Sequence, residues 1–358
     1  MRVIVTMQRP SHVHFYRHAI EAMEADGHDI HVFARDAEVT IHLLESYGID
    51  HGVLVDAPPS GRSLRKLATM QATYESKLLL RAREIQPDVI TAIGGVAASH
   101  VAKLVGARSI VFTDTEHATM SNRLVTPFAD AIWTPDCFHE DLGQKHVRYP
   151  GYHELAYLHP DRFTPDPDAL STADADSERP LVVLRLTDWD ALHDIGAAGF
   201  DDATDVVERL EGSGAQVRIT SEVPLPDELT NRQVSIPPEE IHDLLAHASL
   251  YLGEGATMAA ESAVLGTPSL YVNTLRMGYT DELEARYELL YNFQGAFRHE
   301  HAVRTAETLL DDEGENDWAA RRERLLADKT DTTDVILDAI GIGDGSSAES
   351  KPTTVTAP

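Results

Sequence analysis

Short runs rich in β-branched residues alternate with stretches of helical periodicity along most of the chain. Residues 2–7 form the first such run. Apolar positions then recur at helical spacing over 13–25, and after Gly27-His28 a second run covers 29–34. This is a strand–helix–strand unit. The alternation continues with helices over 40–47, 64–85 and 97–105 and strands over 52–55, 89–93, 109–112 and 131–134. Strands separated by helices at this interval predict a parallel, doubly wound α/β sheet with both faces covered.

The periodicity lapses in an Asp- and Pro-rich segment, 160–180, which is long for a loop inside one compact domain. It resumes with strands over 181–186, 216–220, 250–252 and 269–272 and helices near 203–211, 239–246 and 257–265. Closing helices are expected over 279–286 and 302–328. The chain thus divides into an N-terminal Rossmann-like domain, residues 1–155, a linker, 156–179, and a C-terminal Rossmann-like domain, 180–330. Gly, Ser, Thr and Pro dominate 341–358, which reads as a disordered tail. Two such domains in one chain are expected to face each other across a cleft lined by the carboxyl edges of their sheets.

Composition narrows the function classes. A length of 358 residues exceeds what one core usually serves, and 42% hydrophobic content supports a core in each domain. The net charge of −29 is spread along the chain, which argues against nucleic acid as a partner. Lysine occurs only six times, and with the Asp-rich composition this suggests a salt-adapted, halophilic cytoplasm. Cys137 is the only cysteine, so no internal disulfide or cysteine metal cluster can form. The N-terminal apolar run is too short for a signal segment, and no run approaches the roughly 18 residues of a membrane span. A cytoplasmic protein is expected. The basic residues Arg62, just ahead of the helix over 64–85, and Arg65, Lys66, Lys77, Arg81 and Arg83 on it would suit peripheral contact with an anionic inner membrane face, or else a solvated helix face balanced by acids.

The most informative local feature is residues 248–273, which read as a strand, the turn Gly253-Glu254-Gly255, a helix opening with small residues, Gly266-Thr267-Pro268 and another strand. Unpaired amides at a helix start, with the positive end of its dipole, suit a phosphate. Glu261, six residues after Gly255, falls nearly two helical turns on, where it can meet a ribose hydroxyl. An ordinary parallel crossover with a glycine turn has the same pattern.

Three blocks resemble GT-B glycosyltransferases, and more narrowly the peptidoglycan lipid-intermediate N-acetylglucosaminyltransferase and its uncharacterised relatives of unknown function. They are Ser11-His12-Val13 with Gly27-His28; residues 86–95 through 108–117 to 121–124 and Ala129-Asp130; and the turn-helix of 248–273. The resemblance implies that Gly253, Gly255, Ala256, Thr257 and Met258 face the nucleotide diphosphate, that Glu261 binds its ribose, and that Ile236, in Ser235-Ile236-Pro237-Pro238, lies where the base is read. It implies a nucleotide-sugar donor, UDP-linked, as substrate, no further cofactor, and a lipid-linked or glycan acceptor. Two departures stand out: Met7-Gln8-Arg9-Pro10 and residues 184–194 replace the family's two glycine-rich loops. The spacing of Glu261, Gly266 and Pro268 also resembles the motif of non-hydrolysing UDP-N-acetylglucosamine 2-epimerases, of whose His-x-Glu-Ala-Gly block Glu116 alone is kept.

Sugar transfer needs a base on the acceptor hydroxyl and charge stabilisation on the leaving diphosphate. His12, in the loop after the first strand, and Glu116, after another strand end, are the candidate catalytic residues. His14, Asp114, His117, Arg185, Asp188, Trp189 and His193 are candidate substrate contacts, with Arg185 as a phosphate clamp and Trp189 stacking on a sugar or base. No metal site is expected. The function these features predict is a nucleotide-sugar-dependent glycosyltransferase, with a UDP-hexosamine donor, in surface-glycan or glycolipid synthesis; a 2-epimerase and a non-catalytic nucleotide-sugar-binding module are the alternatives.

Overall fold

The computed structural model describes residues 1–56, 64–187, 203–222, 224–234, 236–311 and 316–343. The chain forms two compact units, one of Met1–Arg162 joined by the residues from Thr330 onward, the other Phe163–Lys329.

The first unit contains β1 (Arg2–Met7), α1 (Pro10–Ala25), β2 (Asp29–Asp36), α2 (Thr40–Ser46), β3 (His51–Asp56), α3 (Leu64–Ile85), β4 (Val89–Ile93), α4 (Val96–Val105), β5 (Arg108–Phe112), α5 (Thr119–Val125), β6 (Ala131–Pro135), β7 (His146–Tyr149) and α6 (Leu155–Leu158). Its strands make one sheet in the order β3-β2-β1-β4-β5-β6-β7, every pair parallel. Central strands of such a sheet are covered on both faces, which is why Val3, Ile4 and Val5 form an unbroken apolar run and are all fully buried.

The second unit contains α7 (Ala169–Thr172), β8 (Leu181–Leu186), α8 (Ala203–Gly212), β9 (Gln216–Ser221), α9 (Ile241–His247), β10 (Leu250–Gly253), α10 (Ala256–Leu265), β11 (Ser269–Val272), α11 (Gly278–Glu282), β12 (Leu290–Phe293), α12 (Arg298–Leu310) and α13 (Trp318–Asp328). Its five strands run parallel in the order β12-β11-β10-β8-β9. Both units are Rossmann-like, doubly wound α/β layers, as the alternation predicts.

Several elements differ from expectation. The strands β7 and β12 were not predicted, and both are edge strands: His-Val-Arg-Tyr and Leu-Tyr-Asn-Phe need apolar residues on less of their surface than a central strand does. The closing helix over 279–286 is instead α11 continued by a π-helical turn at Leu283–Tyr287. The helix over 302–328 is two helices, α12 and α13.

The chain then returns to the first unit as α14 (Thr332–Ile340). Asp331 caps it by accepting from the Thr333 amide at 2.8 Å. Thr332 Oγ1 donates to the Tyr152 carbonyl and Thr333 Oγ1 to the Ala156 carbonyl, each at 2.7 Å. Gly341, at φ 90°, ends the helix in the left-handed conformation, and the Ile342 amide donates to the Leu337 carbonyl. Residues 341–343 of the expected disordered tail thus belong to this helix end; its remainder, 344–358, lies outside the described residues. Ile336 of α14 is fully buried. Replacing it with Ala is expected to cost about 3 kcal/mol of stability by removing buried atoms and leaving a void, measured as a lower urea midpoint with the slope retained; an unchanged midpoint would mean that α14 does not hold the first unit together.

Candidate functional site

In the five-stranded sheet, β8 has β9 on one side and β10 on the other, so strand order reverses between β8 and β10. Ligand crevices open at the carboxyl ends of such a pair. Arg185 and Gly253 are register partners there. From Gly253 the chain passes through Glu254 and Gly255 into α10, and no side chain caps that helix start. Its first turn presents the amides of Ala256, Thr257 and Met258; Thr257 is exposed and its two neighbours half-buried. Together these are the parts of an anion site at a helix N-terminus.

The two glycines serve different purposes. A Cβ on Gly253 would lie 2.5 Å from the Tyr251 hydroxyl and 2.6 Å from Arg185 Cβ, so the strand end accepts nothing larger. A Cβ on Gly255 would meet nothing closer than 3.8 Å. Gly253 is thus required by packing within the protein, whereas Gly255 leaves the helix start bare. Between them, Glu254 is buried and accepts from the Thr187 amide at 3.0 Å and from Thr187 Oγ1 at 3.2 Å, while Asn273 Nδ2 donates to the Glu254 carbonyl at 3.0 Å. It ties together the ends of β8, β10 and β11. Sequence reasoning passed over Glu254 as a spacer between glycines.

Arg185 lays its stem beside this turn, Cγ 3.8 Å from the position a Gly255 Cβ would take, and its guanidinium pairs with Glu222. Glu261, on α10, is buried, and His242 Nε2 of α9 lies 3.0 Å from its Oε1. His242 was not among the predicted residues. Ile236 is half-buried just ahead of the short turn Pro238–Glu240 that leads into α9. Asp188, Trp189 and His193 lie outside the described residues.

In the first unit the strand order reverses between β1 and β4. His12 belongs to the first turn of α1, not to a loop, because Pro10, which has no amide to leave unpaired, starts the helix three residues earlier than its apolar pattern suggests. The His12 ring is buried, and the Gln8 amide donates to its Nδ1 at 3.4 Å, which leaves the ring proton on Nε2. Burial, then the positive charge of Arg9 and the neighbouring His153, push its pKa down to about 3. His12 is therefore neutral at neutral pH.

Asp114, after β5, places Oδ2 3.1 Å from His153 Nδ1 and accepts from Thr115 Oγ1 at 2.8 Å. Burial acts to raise its pKa, but His153 and the hydrogen bonds outweigh it and hold the carboxyl at about 2. His153 packs against the Phe15 ring at 4.5 Å. It sits in the turn after β7, a strand that had escaped prediction, and so it was missed as well. The fold thus gathers His12, Asp114 and His153 within mutual electrostatic reach. Glu116 is buried and accepts from the His139 amide at 3.3 Å, while His117 is exposed. His14 goes into packing: its ring stacks on Tyr157 at 5.3 Å, and Nδ1 lies 3.3 Å from the Tyr47 hydroxyl.

Two outcomes are expected from this geometry. A histidine whose folded pKa is depressed destabilises the fold as pH falls, because the unfolded chain takes up the proton first. Stability should therefore decline from pH 6.5 toward pH 3, and His12→Asn should flatten that slope in urea titrations; equal slopes would show that His12 is not held neutral. Gly253→Ala should cost about 1–3 kcal/mol through overpacking, whereas Gly255→Ala should melt like wild type. Equal melting losses in both variants would contradict the division of roles.

Residues 1–339 match the family described as Protein of unknown function (DUF354). A protein of Methanocaldococcus jannaschii, "Uncharacterized protein MJ0665", is 24% identical over 286 residues, 75% of this chain and 80% of its own length. Among solved structures, the Neisseria meningitidis UDP-GlcNAc 2-epimerase bound to UDP-GlcNAc is similar with TM-score 0.64 at 12% identity, covering 95% of this chain and 99% of its own. The glycosyltransferase VinC in complex with dTDP is similar with TM-score 0.62 at 16% identity, covering 96% and 99%. The rhamnosyltransferase SpnG complexed with thymidine diphosphate gives TM-score 0.61 at 15% identity, covering 94% and 99%. With two parallel doubly wound units, the fold is GT-B, and the chain belongs to the DUF354 family.

Proposed function

We propose that the protein is a nucleotide-sugar-dependent glycosyltransferase that takes a UDP-linked hexosamine and transfers it to a lipid-linked or glycan acceptor. The observation that carries this reading is the Gly255-capped start of α10 at the strand-order reversal of the second sheet, with the Glu261 carboxylate buried on the same helix. The α10 amides, with Arg185 beside them, would stabilise the charge that develops on the leaving diphosphate. Glu261 would engage the ribose and Ile236 the base. On the acceptor side the roles fall to His12 and Glu116, with Asp114 beside His12 as a fixed negative charge. Base action at His12 Nε2 requires the ring proton on Nδ1, so the Gln8 contact must give way when His12 accepts a proton. Among the described residues no helix is long and apolar enough to cross a membrane.

A 2-epimerase is the second reading, favoured by the spacing of Glu261, Gly266 and Pro268 and by the buried acid Glu116, since proton transfer at a sugar carbon calls for acid–base groups shielded from water. Incubating the protein with radiolabelled UDP-hexosamines and membrane extract should move label into an acceptor and release UDP. C2 inversion of UDP-N-acetylglucosamine without acceptor would establish the second reading instead. Nucleotide binding by calorimetry without turnover of any donor would refute both and leave a binding module.

A further inference from the structure

We propose that His242 is the positioning residue of the nucleotide site: it holds the Glu261 carboxylate in the orientation that recognises ribose hydroxyls, and so sets the preference of this site for nucleotides that carry them. The inference rests on the assignment of Glu261 to the ribose.

His242 is 1% exposed, in the first turn of α9, with Nε2 3.0 Å from Glu261 Oε1. A carboxylate on three rotatable bonds adopts one orientation in a buried setting only when donors fix it, and a charge-assisted hydrogen bond is the strong form of such a contact. The ring is itself well anchored. Phe163 meets it edge-on with centroids 6.3 Å apart. The Asp166 amide donates to Asp243 Oδ1 at 2.8 Å, and His247 Nε2 lies 3.0 Å from the Asp166 carbonyl, so the segment opening the second unit clamps α9 at both ends.

Thr267, just past the end of α10, donates through Oγ1 to the Leu245 carbonyl at 2.7 Å and joins the two helices at their far ends. Glu261 and His242 join them nearer the proposed ligand. Because Ile236-Pro237-Pro238 leads through the short turn Pro238–Glu240 into α9, the contact between His242 and Glu261 links the segment assigned to the base with the carboxylate assigned to the ribose. Rigid support of this kind is what a hydrogen-bonding site needs to discriminate between ligands that differ by a hydroxyl.

Calorimetric titration of the full chain with UDP and with 2′,3′-dideoxyuridine diphosphate tests the idea. Wild type should prefer UDP. His242→Gln, whose amide can donate to the same oxygen, should keep that preference, whereas His242→Leu should lose about tenfold in UDP affinity, the worth of one charge-assisted hydrogen bond, and leave the dideoxy affinity unchanged. If circular dichroism shows that the Leu variant does not fold, His242→Asn takes its place, because its amide is too short to reach Glu261. Equal weakening of both nucleotides would assign His242 a purely structural role and overturn the inference. A Glu261→Gln variant should abolish the preference by itself; if the preference survives in it, the ribose assignment fails, and the inference with it.

Discussion

All-parallel pairing is the constraint on which the rest of this structure depends. A parallel strand can be reached only by a crossover over one face of the sheet, so every strand ends at the same edge and the loops after the strands gather there. Helices must cover both faces, which leaves that edge as the place where polar groups can collect without interrupting a core. In each sheet the strand order reverses once, beside β1 in the first unit and between β8 and β10 in the second. His12 follows β1, and the Gly253-Glu254-Gly255 turn follows β10. Within each unit, chemistry-bearing residues from separate parts of the chain therefore gather where topology leaves room for them.

Electrostatics then decides which of these residues can sit there. The chain carries a net charge of −29, yet acids at the strand ends and on α10 are held by named donors: half-buried Asp114 by His153 and Thr115, buried Glu254 by Thr187, buried Glu261 by His242. Removing one partner of a buried pair costs about 3–5 kcal/mol, against about 0–1 for an exposed pair such as Arg81–Glu84. The site residues are thus also points on which local stability depends. His12 illustrates the other solution: burial among positive neighbours keeps it uncharged.

The proposed nucleotide site in the second unit was the more legible one. Its parts lie within one continuous stretch, from β10 through α10, so turn, helix start and Glu261 could be placed from local spacing alone. The proposed acceptor groups of the first unit come from the start of α1 and the segments after β5 and β7, and one missed edge strand concealed His153. His14 shows the converse case: two residues from His12 and of identical chemistry, it turns into the packing against Tyr47 and Tyr157 because helical geometry points it elsewhere.

By itself, the sequence determined the succession of strands and helices, the parallel doubly wound class, and the glycine turn opening α10, because each follows from periodicity or conformational preference within a few residues of chain. Only the tertiary structure decided that α14 completes the first unit, that Gly253 answers to Tyr251 and Arg185, and that Asp114 meets His153 while Glu261 meets His242. Each of these is a contact between separate elements, and neither hydrophobic period nor turn chemistry carries information about which partner a folded sheet edge will bring alongside.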